Sequence, residues 1–326
     1  MNSSVQLALE VSKAWNTSGN DTPPLESCVI ASPIVPREVN IIVHFLTFFT
    51  SLTGNTLLII AYLRMNEAIL LLIANMAASD LLLALVLFPR WIIIEVTESS
   101  EFLVRGSGGA FLCKICTVLS DASLSVSTQS LILIAVERLL ALIAPVLYRR
   151  ITNKKRRILV ICTWIVAILL HLPYFYVMQL VLVPHKGTFI QVCDHDWQTL
   201  FEDKTAHVRY SIFLFTTVLV IPILIICVLY AVIIITQRND KMDTSRSEKS
   251  ARRREQRVKK LQRMAVATVT ALFLCWPLYV MIVLHRIVSP ETVPKCSKFY
   301  KVVDHISHMI ASCYCAVNPC LMFHFL

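Results

Sequence analysis

Cys113-Lys-Ile-Cys-Thr-Val-Leu-Ser120-Asp121-Ala-Ser-Leu-Ser-Val-Ser127-Thr-Gln129-Ser-Leu-Ile-Leu-Ile-Ala-Val-Glu137-Arg138-Leu139 lies within an apolar stretch from Ala110 to Leu142. A helix of more than about 20 such residues crosses the roughly 30 Å hydrocarbon core of a bilayer. It has a cysteine near its start and an adjacent acid and base at its end. Charges at that depth are costly, so two readings stand side by side. Either Glu137 and Arg138 mark the place where the helix meets water, or they partner each other and neighbouring helices.

The rest of the chain repeats the pattern. With 326 residues, 56% of them hydrophobic, and a mean hydropathy of +0.66, it is too apolar for a soluble domain of that length. Seven stretches have the length of a membrane helix: about 39–62, 68–96, 110–142, 158–183, 210–235, 261–285 and 302–326. None shows the alternation of a barrel strand. The expectation is an all-α membrane protein, a seven-helix bundle over 39–326 preceded by an N-terminal segment, 1–38.

Basic residues set the expected orientation. The first, third and fifth inter-span segments hold 18 Lys and Arg, against 10 in the N-terminal segment and the even loops. The positive-inside rule then puts the N-terminus outside. Three glycosylation sequons, at Asn2, Asn16 and Asn20, lie on that side. No apolar run precedes Val39, so no cleaved signal peptide is expected. The net charge of +10 is concentrated at the inner surface, which suits anionic lipid and argues against a nucleic-acid partner. No internal repeat or pair of broken helices supports a transporter.

Within the spans, polar residues stand out. Gly54-Asn55 allows a close helix approach and a polar contact. Asp80 places a carboxylate inside the membrane, where ionisable groups are functional by default, and Ser127 and Asn318 could add oxygens around a small hard cation such as sodium. Pro89 is expected to kink its helix. Arg90 either lines a cavity or extends to the interface. Cys113 and Cys193 both fall on the expected outer, oxidising side, so a disulfide between them is expected, with Cys28 and Cys296 as a second pair.

The run Glu137-Arg138-Leu-Leu-Ala-Leu-Ile-Ala-Pro145-Val-Leu-Tyr148 resembles the end of the third helix and the second inner loop of rhodopsin-like (class A) G-protein-coupled receptors. Gly54-Asn55, Ala77-Ala78-Ser79-Asp80, Trp164, Pro222 with Tyr230, Cys275-Trp276-Pro277 and Asn318-Pro319 carry the resemblance through all seven spans in order. It implies that Arg138, held by Glu137 at rest, is released toward a heterotrimeric G protein when the sixth helix swings outward, with Tyr230 supporting it. It also implies an allosteric sodium site at Asp80, Ser127 and Asn318, with no other cofactor. Trp276 would sit at the base of the ligand cavity, beside a kink at Pro277. The chain departs from the family in three motifs. Cys-Trp-Pro is one residue shorter than the family's Cys-Trp-x-Pro, Met322 stands where the family has a tyrosine, and Leu139 replaces the tyrosine of the Arg138 triplet. Only seven residues follow Pro319, too few for the family's eighth helix.

The ligand class follows by comparison. Amine receptors of the family carry an Asp at the position of Ser120, eighteen residues before Arg138; here Asp121 follows it, turned about 100° round the helix. No lysine stands in the turn from Met309 to Ser312, which disfavours retinal. A loop of about 25 residues with Asp194, Asp196, Trp197, Glu202 and Asp203 suits a basic, amidated peptide. The wording of the third span and of the segment around Trp197 is similar to receptors of the neuropeptide FF, tachykinin and orexin kind. Candidate ligand-binding residues are Arg90, Ser120, Asp121, Gln129, Trp197, Trp276, His285 and Asp304, the last also readable as an interfacial charge. A small-molecule receptor of the same fold is the alternative, and a transporter or channel the alternative from another class. An enzyme is not expected: His171, His305 and His308 have no metal-site spacing, and there is no nucleophile motif. Plasma-membrane location follows from the receptor reading.

Overall fold

The structure is a computed structural model that describes residues 35–65, 68–185, 187–197, 205–243, 263–264, 266–289, 292–294 and 297–325. Within these residues seven helices are long and apolar enough to span a membrane. They are α1 (Arg37–Met65), α2 (Ala68–Thr97), α3 (Gly106–Ile143), α4 (Asn153–Val177), α5 (Ala206–Thr236, continuing to Asp243), α6 (Val266–Val288) and α7 (Lys298–Phe325). A short helix, Pro145–Arg150, leads from α3 toward α4 with its proline in the first turn, where the missing N–H costs nothing. The fourth span ends earlier than expected. Residues 178–183 leave the helix and enter a β-hairpin, β1 (Met178–His185) with β2 (Thr188–His195), paired antiparallel with Leu180 opposite Cys193. The expected seven-helix bundle is present, with this hairpin added in the connection between α4 and α5. The valines and leucines of 178–183 extend an apolar helix by composition, but Pro184 and the Gly187 turn, at positive φ, favour two strands.

The bundle closes into a ring. α1 contacts α2 and α7, α6 contacts α5 and α7, and α3 lies against α2, α4 and α5. The surface is apolar: Ile42, Phe45, Leu46 and Phe49 on α1 and Ile161, Ile165 and Leu169 on α4 are exposed. The interior combines a large apolar cluster, including Leu72, Ile73, Leu131, Ile134, Ile226, Leu272 and Met322, with buried polar groups at Asn55, Asn75, Asp80 and Asn318. A chain solvated by lipid has no reason to turn its apolar side inward, and its polar side chains gain by meeting each other.

Irregularities sit at prolines. Pro89 and Pro319 are carried inside α2 and α7. In α5 one π-helical turn, Thr216–Val220, precedes Pro222, and the wider turn relieves the clash that a proline ring makes with the preceding carbonyls. α6 breaks at Trp276, and Pro277 starts the next helical segment.

Gly54 is required by a close approach, since a Cβ there would fall 2.7 Å from Pro319 Cβ. Replacing it by valine is expected to lower stability by about 1–3 kcal/mol through overpacking, read as a lower thermal midpoint of the purified protein. An unchanged midpoint would remove the α1–α7 contact as a constraint.

Candidate functional site

Three of the residues expected to act together do meet. Asp80 on α2 is 2% exposed. Ser127 on α3 donates to its Oδ1 at 2.7 Å, and Asn318 on α7 donates through Nδ2 to its Oδ2, also at 2.7 Å. Ser79 Oγ lies 2.8 Å from Ser127 Oγ. α1 joins through Asn55, whose Nδ2 donates to Ser51 O at 2.9 Å and Cys315 O at 3.1 Å. A carboxylate in a low-dielectric interior is tolerable only when it is hydrogen-bonded, and each of its oxygens has one donor here. Asn318 Oδ1 is buried and without a hydrogen-bond partner. With the carboxylate and the two serine hydroxyls it forms the hard, all-oxygen donor set that a sodium ion prefers, so the residues present fit the ion.

One turn and a half nearer the start of α2, Asn75 ties three helices. Its Nδ2 donates to Ser130 Oγ at 2.9 Å and Thr163 Oγ1 at 3.2 Å, and its Oδ1 accepts from Trp164 Nε1 at 2.9 Å. The sequence marks Asn75 as polar in an apolar run, but nothing in it says that α3 and α4 both reach it.

At the far end of α3 the expectation that Glu137 holds Arg138 is corrected. Glu137 Oε1 accepts from Arg156 Nε on α4 at 2.5 Å, with both side chains under 10% exposed. Arg156 also donates from Nη1 to Ile151 O at 2.6 Å and lies over the Tyr148 ring, 5.3 Å from its centroid. Neighbours on a helix point about 100° apart, so Glu137 and Arg138 cannot both face the same helix. Glu137 faces α4. Arg138 forms no hydrogen bond or ion pair among the described residues, and its Nε is buried. The Tyr230 hydroxyl on α5, buried without a hydrogen-bond partner among the described residues, is within its electrostatic reach. Met322 is buried at 1% exposure.

At the opposite end Cys113 and Cys193 are bonded, which holds β2 against the start of α3. Cys28, Cys296, Asn2, Asn16 and Asn20 lie outside the described residues. Below the hairpin is a ring of aromatics. Trp197 is stacked on His207, at 5.1 Å between centroids, and packs on Tyr210 at 5.1 Å and Tyr174 at 6.1 Å. Asp121 faces this group and is described further below. Trp276 packs edge-on to Tyr314 and Tyr279, at 6.4 and 6.1 Å, in the apolar core, and its indole Nε1 is buried without a partner. The helix is interrupted at Trp276, and Pro277 starts the next segment immediately after it.

The remaining candidates divide. Arg90 lies over the Phe102 ring, 6.0 Å from its centroid, and within electrostatic reach of Asp194 in β2. Gln129 is half-buried and makes no hydrogen bond among the described residues. Ser120 is buried and its hydroxyl donates to Cys116 O of its own helix at 2.7 Å, as an apolar environment demands of a lone hydroxyl. His285 is exposed, with Nε2 3.0 Å from Thr292 Oγ1. Asp304 is ion-paired with Arg286 across α6 and α7, which favours its interfacial reading. Two groups went unread in the sequence. One is Arg156, indistinguishable there from its basic neighbours. The other links α1, α2 and α7: His305 Nε2 lies 3.0 Å from Asn40 Oδ1, Asn40 donates to Glu95 at 3.2 Å, and His308 packs on Trp91 at 4.5 Å.

A bundle of seven membrane helices, with a buried carboxylate node at mid-depth and, among the described residues, an arginine without an ion pair at one end, has the build of a membrane receptor. Residues 54–321 match the family described as 7 transmembrane receptor (rhodopsin family), and the chain belongs to that family. It is therefore a multi-pass membrane signalling receptor and not an enzyme. Among its relatives are the QRFP-like peptide receptor of Branchiostoma floridae, 26% identical over 85% of this chain and 72% of that one. Neuropeptide Y receptor type 1 of Xenopus laevis is 28% identical over 93% of this chain and 81% of its own length. Neuropeptide receptor 22 of Caenorhabditis elegans is 28% identical over 83% of this chain and 62% of its own length.

Replacing Arg156 by alanine leaves Glu137 buried and unpaired, and is expected to cost about 3–5 kcal/mol of stability. The double replacement Glu137→Gln with Arg156→Gln should cost clearly less than the sum of the two single ones. Additive losses in thermal unfolding would show that the pair does not interact.

Proposed function

We propose that the chain is a peptide receptor of the plasma membrane, its N-terminus outside, that activates a heterotrimeric G protein when ligand bound at the Cys113 end shifts the bundle to a state open at the Arg138 end. The observation that carries this reading is the disposition of charge along α3. Glu137 is committed to Arg156 while Arg138, among the described residues, is left without an ion pair at the basic end of the bundle. An arginine already free of its acidic neighbour needs only the displacement of surrounding helices to meet a partner protein. The break at Pro277 gives α6 a point about which to move, and Trp276 just before it touches Tyr314 of α7. Ligand must favour the open state over the closed one, since equal affinity for both shifts nothing.

The peptide class is supported by relatives whose names are those of peptide receptors and by the hairpin. β1 and β2, fixed by the Cys113–Cys193 bond, border the group of aromatics around Trp197. Asp80, Ser127, Ser79 and Asn318 would hold a sodium ion, which would neutralise the buried carboxylate and favour the packed, resting arrangement of α2, α3 and α7.

Reconstituted with heterotrimeric G proteins in lipid vesicles, the protein should accelerate nucleotide exchange in the presence of amidated peptides from its source tissue. Ion flux without exchange would overturn the receptor mechanism in favour of a channel. A second measurement concerns the cation. Sodium is expected to lower agonist affinity severalfold in the wild type and to have no effect after Asp80→Asn; a sodium effect that survives the substitution would remove Asp80 from that role.

A further inference from the structure

Asp121 lies eight residues into the membrane from Cys113, about 12 Å along α3. It is enclosed by the bundle and yet partly accessible to solvent, which is the condition of a carboxylate lining a cavity. Among the described residues it has no hydrogen bond and no ion pair. Among the described residues, three cations of this end of the bundle are engaged elsewhere: Arg286 with Asp304, Arg90 over Phe102 and near Asp194, Lys114 over Phe175.

Three tyrosines from three other helices surround it. Tyr174 on α4, Tyr210 on α5 and Tyr279 on α6 are each within electrostatic reach of its carboxylate. The Tyr174 and Tyr210 rings meet edge-on at 5.3 Å. Tyr210 gives its hydroxyl proton to Leu170 O at 2.7 Å, so that hydroxyl is not available to Asp121. Trp197 packs behind both rings and closes the wall toward the hairpin.

A carboxylate withdrawn from water without a counter-ion costs several kcal/mol, and a cation brought to it recovers much of that cost. Aromatic faces add to the attraction for a cation, most where it is desolvated, and offer nothing to an anion. We propose that Asp121, Tyr174, Tyr210 and Tyr279 form a subsite for one monocationic group of the ligand, a guanidinium or an ammonium, with Asp121 as counter-ion and the tyrosine rings as walls. Its four residues come from α3, α4, α5 and α6. This deepens the peptide-receptor reading by giving the chemical class of one ligand side chain, and it rests on that reading for the ligand's being a peptide.

The test uses the purified full-length receptor in nanodiscs, with argininamide, lysinamide and the neutral isostere citrullinamide as probes, all three acetylated at the α-nitrogen so that the side chain carries the only charge. Both cationic probes, or one of them, should raise the thermal midpoint of the wild type, and citrullinamide should not; which cation is stronger tells guanidinium from ammonium. Asp121→Asn should weaken cation binding at least tenfold, Asp121→Glu should largely retain it, and Tyr174→Leu should weaken it more than Tyr174→Phe. Without any probe, Asp121→Asn should leave the midpoint unchanged or raise it, since it removes an uncompensated charge. Equal shifts from argininamide and citrullinamide, no shift in the wild type, or a midpoint lowered by Asp121→Asn would each overturn the subsite. None of these readouts involves a G protein. A receptor that binds the cation but never responds to peptide fails only the function proposed above, and one that responds to peptides with a potency indifferent to Asp121→Asn fails only this inference.

Discussion

The bundle depends on a carboxylate held where water is scarce. Asp80 can be buried at mid-membrane because Ser127 and Asn318 each give it a proton at 2.7 Å, and these donors come from different helices. The requirement that it be hydrogen-bonded therefore sets the relative depth of α2, α3 and α7. Asn55 extends the constraint to α1 through the Cys315 carbonyl, and the Gly54 contact with Pro319 keeps those two helices close enough for it to work. Asn75, one and a half turns away, does the same for α4. Packing alone could slide one apolar helix along another at little cost, whereas these hydrogen bonds are lost by a shift of one residue.

The charges at the end of α3 obey the same rule with a different outcome. Glu137 finds its counter-ion on α4, at Arg156, whose guanidinium also caps the Ile151 carbonyl and covers Tyr148. Burying such a pair is close to neutral in free energy, but removing one member is not, so it acts as a register device between α3 and α4. Its consequence is that Arg138, one position on, is free of the partner the triplet itself offers. The motion of α6 then has less to break at that end.

At the other end of α3 the covalent bond from Cys113 to Cys193 replaces what hydrogen bonds do in the middle. A two-stranded hairpin is marginal by itself in water. Joined to α3 it becomes a fixed border to the aromatic ring of Tyr174, Trp197, His207 and Tyr210. The result is a molecule with a rigid mid-section, a bordered aromatic end and a basic end with an uncommitted arginine.

The number of helices, their approximate extents and the grouping of Asp80, Ser127 and Asn318 were legible in the sequence, because long apolar runs and isolated polar residues within them are one-dimensional signals. So was the Cys113–Cys193 bond, from position relative to the spans. The end of α4 was misjudged because a buried strand and a helix end share the same composition over six residues, and only pairing with β2 separates them. The partner of Glu137 was hidden for a like reason. Arg156 stands in a run of basic residues with no mark of its own, and its role exists only once α4 packs on α3. Which way Ser120 and Asp121 face, one into its own helix and the other toward three tyrosines, was likewise decided by the helices around them. A sequence specifies which groups must be satisfied in a membrane. The three-dimensional arrangement determines by whom, because the partners lie on other helices at separations along the chain that no local pattern encodes.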